Sequence, residues 1–266
     1  MIVTMDGPAG AGKSQLARLL AARIGFDFLD TGAMYRCVTL ACLERGISID
    51  DPTAAADCAL SLDIQFSDSS VLLDGVDVSH RIRSPQVTSS IRPIADNPII
   101  RERLVELQRV WAGARDVVTE GRDQGTVAFP NAPCKIYLTA SPQERARRRA
   151  DQLAREGIQA DLDSVLRQQN QRDLEDTSRA FGPLRAASDA IHVFSDGLTE
   201  DETLDRLIEI VEARRGLAFT EKSTEKSTEK STIGNTESSP TSDANALKTN
   251  ATEANTPQTN VLASKS

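Results

Sequence analysis

The chain has 266 residues, 39% of them hydrophobic, and a formal net charge of −8. That length supports one α/β domain with a smaller appendage, and the acidic balance argues against nucleic acid as an overall partner. No apolar stretch approaches a membrane span and the first residues read as a strand rather than a signal peptide, so a cytoplasmic protein is expected.

The first element is the run Ile2-Val3-Thr4-Met5, short and partly β-branched, which predicts a buried parallel strand. "GPAGAGKS", Gly7 to Ser14, follows, and then Leu16, Leu19, Leu20 and Ile24 recur at helical spacing. Strand, G-x-x-x-x-G-K-[ST] and helix together make the context of a phosphate-binding P-loop. Gly7, Gly10 and Gly12 let the backbone wrap closely, Lys13 adds a mobile positive charge, Ser14 a hydroxyl for Mg²⁺, and the helix start its dipole. A glycine-rich turn that binds nothing is the bland alternative, and the placement between strand and helix speaks against it.

After a second strand, "FDFLD", comes "DTGAMYR", Asp30 to Arg36. Asp30 or Thr31 can cap the next helix; the same helix start can also hold an anion, with Arg36 one turn in. The connection from residue 30 to 113 is far too long for a simple crossover. It contains "LDIQFS", "SVLLDG" and "VDVS", which predict a small antiparallel meander, then helical stretches over about 85–95 and 98–113.

A third strand, "DVVTEG", leads into "EGRDQGT", which reads as a loop. There Arg122 can grip a second phosphate, Asp123 can order a base or a metal-bound water, and Glu120 stands where P-loop enzymes place an acid near the metal. After the strand "CKIYLTA", Ser141, Pro142 and Glu144 predict a capped helix start with a capping box. Arg145, Arg147, Arg148 and Arg149 crowd the next one and a half turns. Arg172, Asp176 and Arg179 fall at i, i+4 and i+7, on one predicted helical face. A last strand, "AIHVFSD", contains His192, read as a packed side chain. Every arginine precedes residue 216, whereas only Lys13 and Lys135 among the lysines do; arginine binds planar oxyanions as a fork. His80 and His192 are too few for a histidine metal site. Cys37, Cys42, Cys58 and Cys134 show no C-x-x-C spacing and read as buried thiols.

Beyond Phe219 the chain turns to EKST repeats and Ser, Thr, Asn and Ala without an aromatic, so residues 220–266 are expected to be a disordered tail. The folded part, 1–219, alternates β and α and predicts a five-stranded parallel sheet between helical layers.

With these motifs in place the chain resembles the bacterial cytidylate kinases, a branch of the nucleoside monophosphate kinases. "GPAGAGKS", "LDTGAMYR", "EGRDQGTVAFPNAPCKIYLTAS", "ERARRR" and "RD…RA…PL" occur in family order across residues 2–215. The resemblance implies a P-loop NTPase-type fold with core 1–30, 114–145 and 184–219, a monophosphate-binding insertion 31–113 and a lid region 146–183. It implies phosphoryl transfer from ATP to CMP or dCMP with Mg²⁺, by a monomer. Gly7, Pro8, Ala9, Gly10, Ala11, Gly12, Lys13, Ser14 and Gln15 would hold ATP, with Ser14 and Glu120 near the metal, Glu120 directly or through water. Thr31, Tyr35 and Arg36 would meet the monophosphate and Arg101 the cytosine. Arg122, Asp123, Arg172, Asp176 and Arg179 would line the acceptor and transfer site, and Arg148 and Arg149 match the lid arginines. The chain departs from the pattern at Arg92, where many relatives carry a small serine near the base. Rival readings are another P-loop small-molecule kinase, of UMP, shikimate or adenylate type, and a nucleotide-dependent binding module. The N-K-x-D signature of regulatory GTPases is absent, and a switch should lack a second arginine cluster.

Overall fold

The apolar run at the start becomes β1 (Ile2–Asp6), the middle strand of a five-stranded parallel sheet in a computed structural model that describes residues 1–66, 70–155 and 157–233, with side chains to residue 216. Beside it lie β6 (Val117–Gly121) and β7 (Cys134–Thr139), and outside these β2 (Asp27–Asp30) and β8 (Ile191–Phe194), in the order β2-β6-β1-β7-β8. Residues buried on both faces explain why the strands read as nearly continuous apolar runs. The register sets Asp6 beside Gly121 and Tyr137, and Asp30 beside Glu120. The carboxyl ends of β1, β2 and β6 therefore finish level, and that edge is where open α/β sheets bind ligands.

Two apolar cores flank the sheet. Val3, Met5, Ile136, Leu138 and Val193 pack with Leu16 and Leu20 of α1 (Lys13–Ile24) and with Leu204 and Leu207 of α8 (Glu200–Ile233). Leu29 and Val117 belong to the other core, with α2 (Thr31–Glu44), α3 (Pro52–Leu60), α4 (Pro85–Asp96) and α5 (Pro98–Ala112). Ser84 and Asn97 cap α4 and α5, each with proline in the first turn, which is where a missing N–H costs nothing.

The expected meander is present as an antiparallel sheet of β3 (Ile64–Phe66), β4 (Val71–Leu73) and β5 (Val76–Asp77). Asp74 and Gly75 join its last two strands with φ of 50° and 79°, as a two-residue hairpin with both central residues left-handed requires. After β7 come α6 (Pro142–Arg155) and α7 (Leu162–Ser178).

Several local expectations are corrected. The Glu120–Thr126 stretch is not a plain loop: residues Gln124–Ala128 form one π turn, closed by Phe129 N–H donating to the Gln124 carbonyl at 2.7 Å. The capping box at Ser141 is half made. Ser141 Oγ accepts from Glu144 N–H at 3.3 Å, but the Glu144 carboxylate turns to Arg147 and Arg148, because Asp196 already accepts the Ser141 N–H. Arg179 lies just past the end of α7, in extended backbone, rather than on its face. His192 is exposed, stacked between Tyr137 and Phe194, because its side of β8 faces solvent.

The chain divides into two units, Met1–Glu221 and Lys222–Ser266. α8 runs to Ile233, into the stretch from residue 220 that is expected as a tail. Residues 234–266 of that expected tail lie outside the described residues.

Candidate active site

The P-loop leaves β1 at Gly7, whose φ is 150° and where a Cβ would stand 2.0 Å from the Leu138 carbonyl oxygen of β7. Only glycine fits so close a backbone approach. The loop ends at Gly12, which offers no side-chain cap to α1. The first N–H groups of that helix are thus left for an anion. Lys13 is buried at the helix start, and its Nζ donates to the Pro8 carbonyl at 2.8 Å. Burial, with the charge of Arg122 adding to it, lowers its pKa to about 7. Ser14 Oγ donates to Glu120 Oε1 at 2.9 Å, so the hydroxyl and the carboxylate named from sequence meet across β1 and β6.

Asp6, which the sequence reading passed over, is buried and accepts N–H bonds from Gln124 at 2.8 Å and Gly125 at 2.7 Å. It ties the P-loop strand to the π turn. Burial raises its pKa to about 7 despite these bonds. Its signal was a carboxylate directly before Gly7.

Two cavities open along the sheet edge. One of about 880 Å³ is lined by Ala9, Gly10 and Gly12 to Gln15 of the P-loop, by Arg147, Arg148 and Arg149 of α6, and by Leu198, Thr199 and Thr203. The second, about 580 Å³, is lined by Thr31, Tyr35, Arg101, Asp123, Asp176 and Arg179, among others. Gly32, Ile91, Glu120, Arg122 and Arg172 line both, so the two cavities adjoin at a wall that carries two arginines.

In the smaller cavity charge is closely paired. Arg101 and Asp123 form an ion pair with both side chains almost fully buried, and Arg101 Nη1 also donates to the Ala95 carbonyl at 2.9 Å. The Arg101 guanidinium lies 5.5 Å from the centre of the Tyr35 ring, and burial pushes the Tyr35 hydroxyl up to about 12. Gly182, unnoticed in the sequence, packs so closely on the Arg101–Asp123 pair that a Cβ would stand 2.1 Å from Asp123 Oδ2. Arg122 Nε donates to Asp176 Oδ2 at 2.7 Å, and Arg179 Nη2 to Asp176 Oδ1 at 2.6 Å. Arg172 has no hydrogen-bond or ion-pair partner among the described residues. Desolvation of the guanidinium, then the like charge of Arg122, lowers its pKa, although the residue as a whole is exposed. An unpaired guanidinium beside two others is a place for an oxyanion.

Other named residues stand elsewhere. The helix cap is Asp30, whose side chain accepts the Ala33 N–H at 2.9 Å, while Thr31 Oγ1 donates to the Glu120 carbonyl at 2.7 Å. Arg36 lines the larger cavity, held by Thr88 Oγ1 at 2.7 Å and the Ile82 carbonyl at 3.3 Å. Arg83, also missed, lines that cavity and pairs with Asp30 at 2.8 Å. Arg148 is bound to Glu144 at 2.8 Å and to Ser195 Oγ at 3.0 Å, whereas Arg149 has no partner among the described residues. Arg92 lines the smaller cavity and bridges to α7 through Glu175 at 2.5 Å. Among the described residues there is no group of three or more His, Cys, Asp or Glu side chains fit to hold a metal by themselves. None of the described helices is long and apolar enough to cross a membrane, and all four cysteines are free and buried.

Fold and site define a P-loop nucleotide-binding protein with two adjoining arginine-lined cavities. The cytidylate kinase family model matches residues 3–213. Among curated relatives, a cytidylate kinase of Rhodopirellula baltica is 54% identical over 211 residues, which cover 79% of this chain and 92% of that protein. One from Mycobacterium leprae is 44% identical over 217 residues, covering 81% and 97%. The chain belongs to the cytidylate kinase family.

Proposed function

We propose that the protein transfers the γ-phosphoryl group of ATP to CMP or dCMP, giving ADP and CDP or dCDP. The observation that carries this reading is the pair of cavities sharing a wall of Gly32, Ile91, Glu120, Arg122 and Arg172. A donor in the P-loop cavity and an acceptor in the other would present their phosphates to the same arginines.

Transfer between phosphates needs little covalent chemistry from the protein; positioning and charge neutralisation dominate. Lys13 and the N–H groups of Gly10 to Ser14 hold the donor phosphates. Arg122, Arg172 and Arg179 surround the acceptor phosphate and the migrating group. No general base is needed, because the acceptor is already an anion. Thr31 and Tyr35 line the acceptor side, and Arg101, fixed by Asp123, meets the pyrimidine. Arg36, near Arg172 of the shared wall, meets the monophosphate from the adjoining cavity. Arg148 and Arg149 flank the donor on α6, and closure of that region over the P-loop excludes water.

The donor set fits Mg²⁺. Ser14 Oγ and Glu120 are oxygen ligands already within 2.9 Å of one another, and this ion is usually held by one or two carboxylates, waters and substrate phosphates rather than by a protein cage. It would neutralise charge on the donor phosphates. Glu120 and Ser14 would hold it, directly or through water.

The test is to incubate the protein with ATP, Mg²⁺ and each of CMP, dCMP, UMP and AMP, and to follow ADP. Good turnover of CMP and dCMP, less of UMP and negligible turnover of AMP is expected. Cytosine and uracil reverse the donor–acceptor pattern at N3 and the exocyclic group, so a site built for one leaves buried groups unpaired with the other. Equal kcat/KM for CMP and UMP would overturn the assignment of the base.

A further inference from the structure

Two peptide groups of the P-loop are gripped from outside the loop. Ala9 N–H donates to Asp173 Oδ1 of α7 at 2.9 Å, and the Ala9 carbonyl accepts from Arg145 Nη1 of α6 at 2.8 Å. Arg145 and Asp173 are themselves paired at 2.5 Å, and Arg145 Nε is anchored on the Ala140 carbonyl at 3.1 Å. The pair is largely buried, with side-chain exposures of 6% and 16%.

The planarity of the peptide bond makes this grip directional. In a trans peptide, N–H and C=O point to opposite sides. The Pro8–Ala9 peptide gives its N–H to Asp173, so its carbonyl faces the other way, and that carbonyl is the one that accepts from Lys13 Nζ at 2.8 Å. The Ala9–Gly10 peptide gives its carbonyl to Arg145, so the Gly10 N–H faces away from α6. Ala9 lacks the conformational freedom of the flanking Gly10, whose φ is 77°. The freedom of Gly10 leaves the orientation of the Ala9–Gly10 peptide to be fixed by a tertiary contact.

We infer that Arg145 and Asp173 are positioning residues for the donor phosphates: their ion pair brackets Ala9 and thereby fixes both the carbonyl that stations Lys13 and the direction of the Gly10 N–H. Asp173 lies next to Arg172 on α7, the helix that also lends Asp176 to the acceptor cavity. The clamp thus makes the geometry of the P-loop depend on the seating of α6 and α7. The inference rests on the proposed ATP site, not on the identity of the acceptor.

The experiment measures ATP and CMP binding by calorimetry, together with kcat, for the full chain and two variants. The double variant Arg145→Met with Asp173→Leu removes both charges, so that neither is left buried and alone. Asp173→Asn is isosteric and keeps an oxygen for the Ala9 N–H, but turns an amide donor toward Arg145. In the double variant the Kd for ATP should rise and kcat fall, each by about 10- to 100-fold, the scale expected when reacting groups are misplaced by an ångström. CMP binding should stay within about twofold, and Asp173→Asn should move the same quantities less far. Unchanged ATP binding and kcat in a folded double variant would overturn the inference, as would equal losses for ATP and CMP. If the double variant does not fold, Asp173→Asn decides, and parental ATP binding and kcat there would overturn it. A parent protein that binds ATP yet phosphorylates no CMP defeats the proposed reaction but leaves ATP binding as the test of the clamp.

Discussion

Ser14 Oγ and Glu120 Oε1 are hydrogen-bonded at 2.9 Å although 106 residues separate them in the chain. The parallel pairing of β1 with β6 brings them together, since Met5 stands opposite Glu120 and Ser14 lies in the first turn of the helix that follows β1. Glu120→Gln keeps the shape and removes the charge. The Mg²⁺ concentration giving half-maximal activity should rise by on the order of tenfold or more, as for outer-shell carboxylates. A magnesium titration at fixed ATP checks this, and an unchanged midpoint would take Glu120 out of the metal site.

Lys13 sets the pH dependence. Its pKa in the free protein is lowered to about 7 by burial and by Arg122. Raising the pH above that value removes the ammonium proposed to meet the triphosphate, so kcat/KM for ATP should fall above pH 7. Bound phosphates favour the charged form, so kcat should hold to higher pH. Profiles of both parameters decide; in Lys13→Ala, turnover should nearly vanish, and the remainder should lack the inflection.

Arg179 is held by Asp176 at 2.6 Å and by Asp96 at 2.5 Å, and the second carboxylate also binds Arg92 at 3.3 Å. Arg179→Ala and Arg122→Ala should each lower kcat by about 10³–10⁵, the range known for arginines that stabilise phosphoryl transfer. Arg92→Ser removes two ion pairs of an exposed side chain instead, those with Asp96 and Glu175, and should change the KM for CMP by less than about fivefold. Steady-state kinetics of the three variants separate the two kinds of arginine.

The buried pair of Arg101 and Asp123 makes the base site costly to probe. Arg101→Met strands a carboxylate in the interior, at about 3–5 kcal/mol, so its thermal midpoint should fall sharply. Adding Asp123→Asn should recover much of that loss. In the double variant the ratio of kcat/KM for CMP to that for UMP should approach one; an undiminished ratio would place base recognition elsewhere.

What the sequence determined by itself was local and periodic. Gly7 to Ser14 between a β-branched run and a helical one specify a P-loop, because glycines, a lysine and a hydroxyl act there through backbone only a few residues away. The small antiparallel meander after residue 60 is legible for the same reason. Tertiary structure alone decided which charges are spent on one another. Spacing set Arg148 beside Arg149, yet Ser195, brought in by β8, holds only Arg148. The residues that bracket the P-loop, Arg145 and Asp173, stand 28 positions apart on two helices. Both lie in stretches the sequence singles out, ERARRR and RD, but their pairing does not show there, because an ion pair between helices depends on how they pack, which no short window of sequence contains.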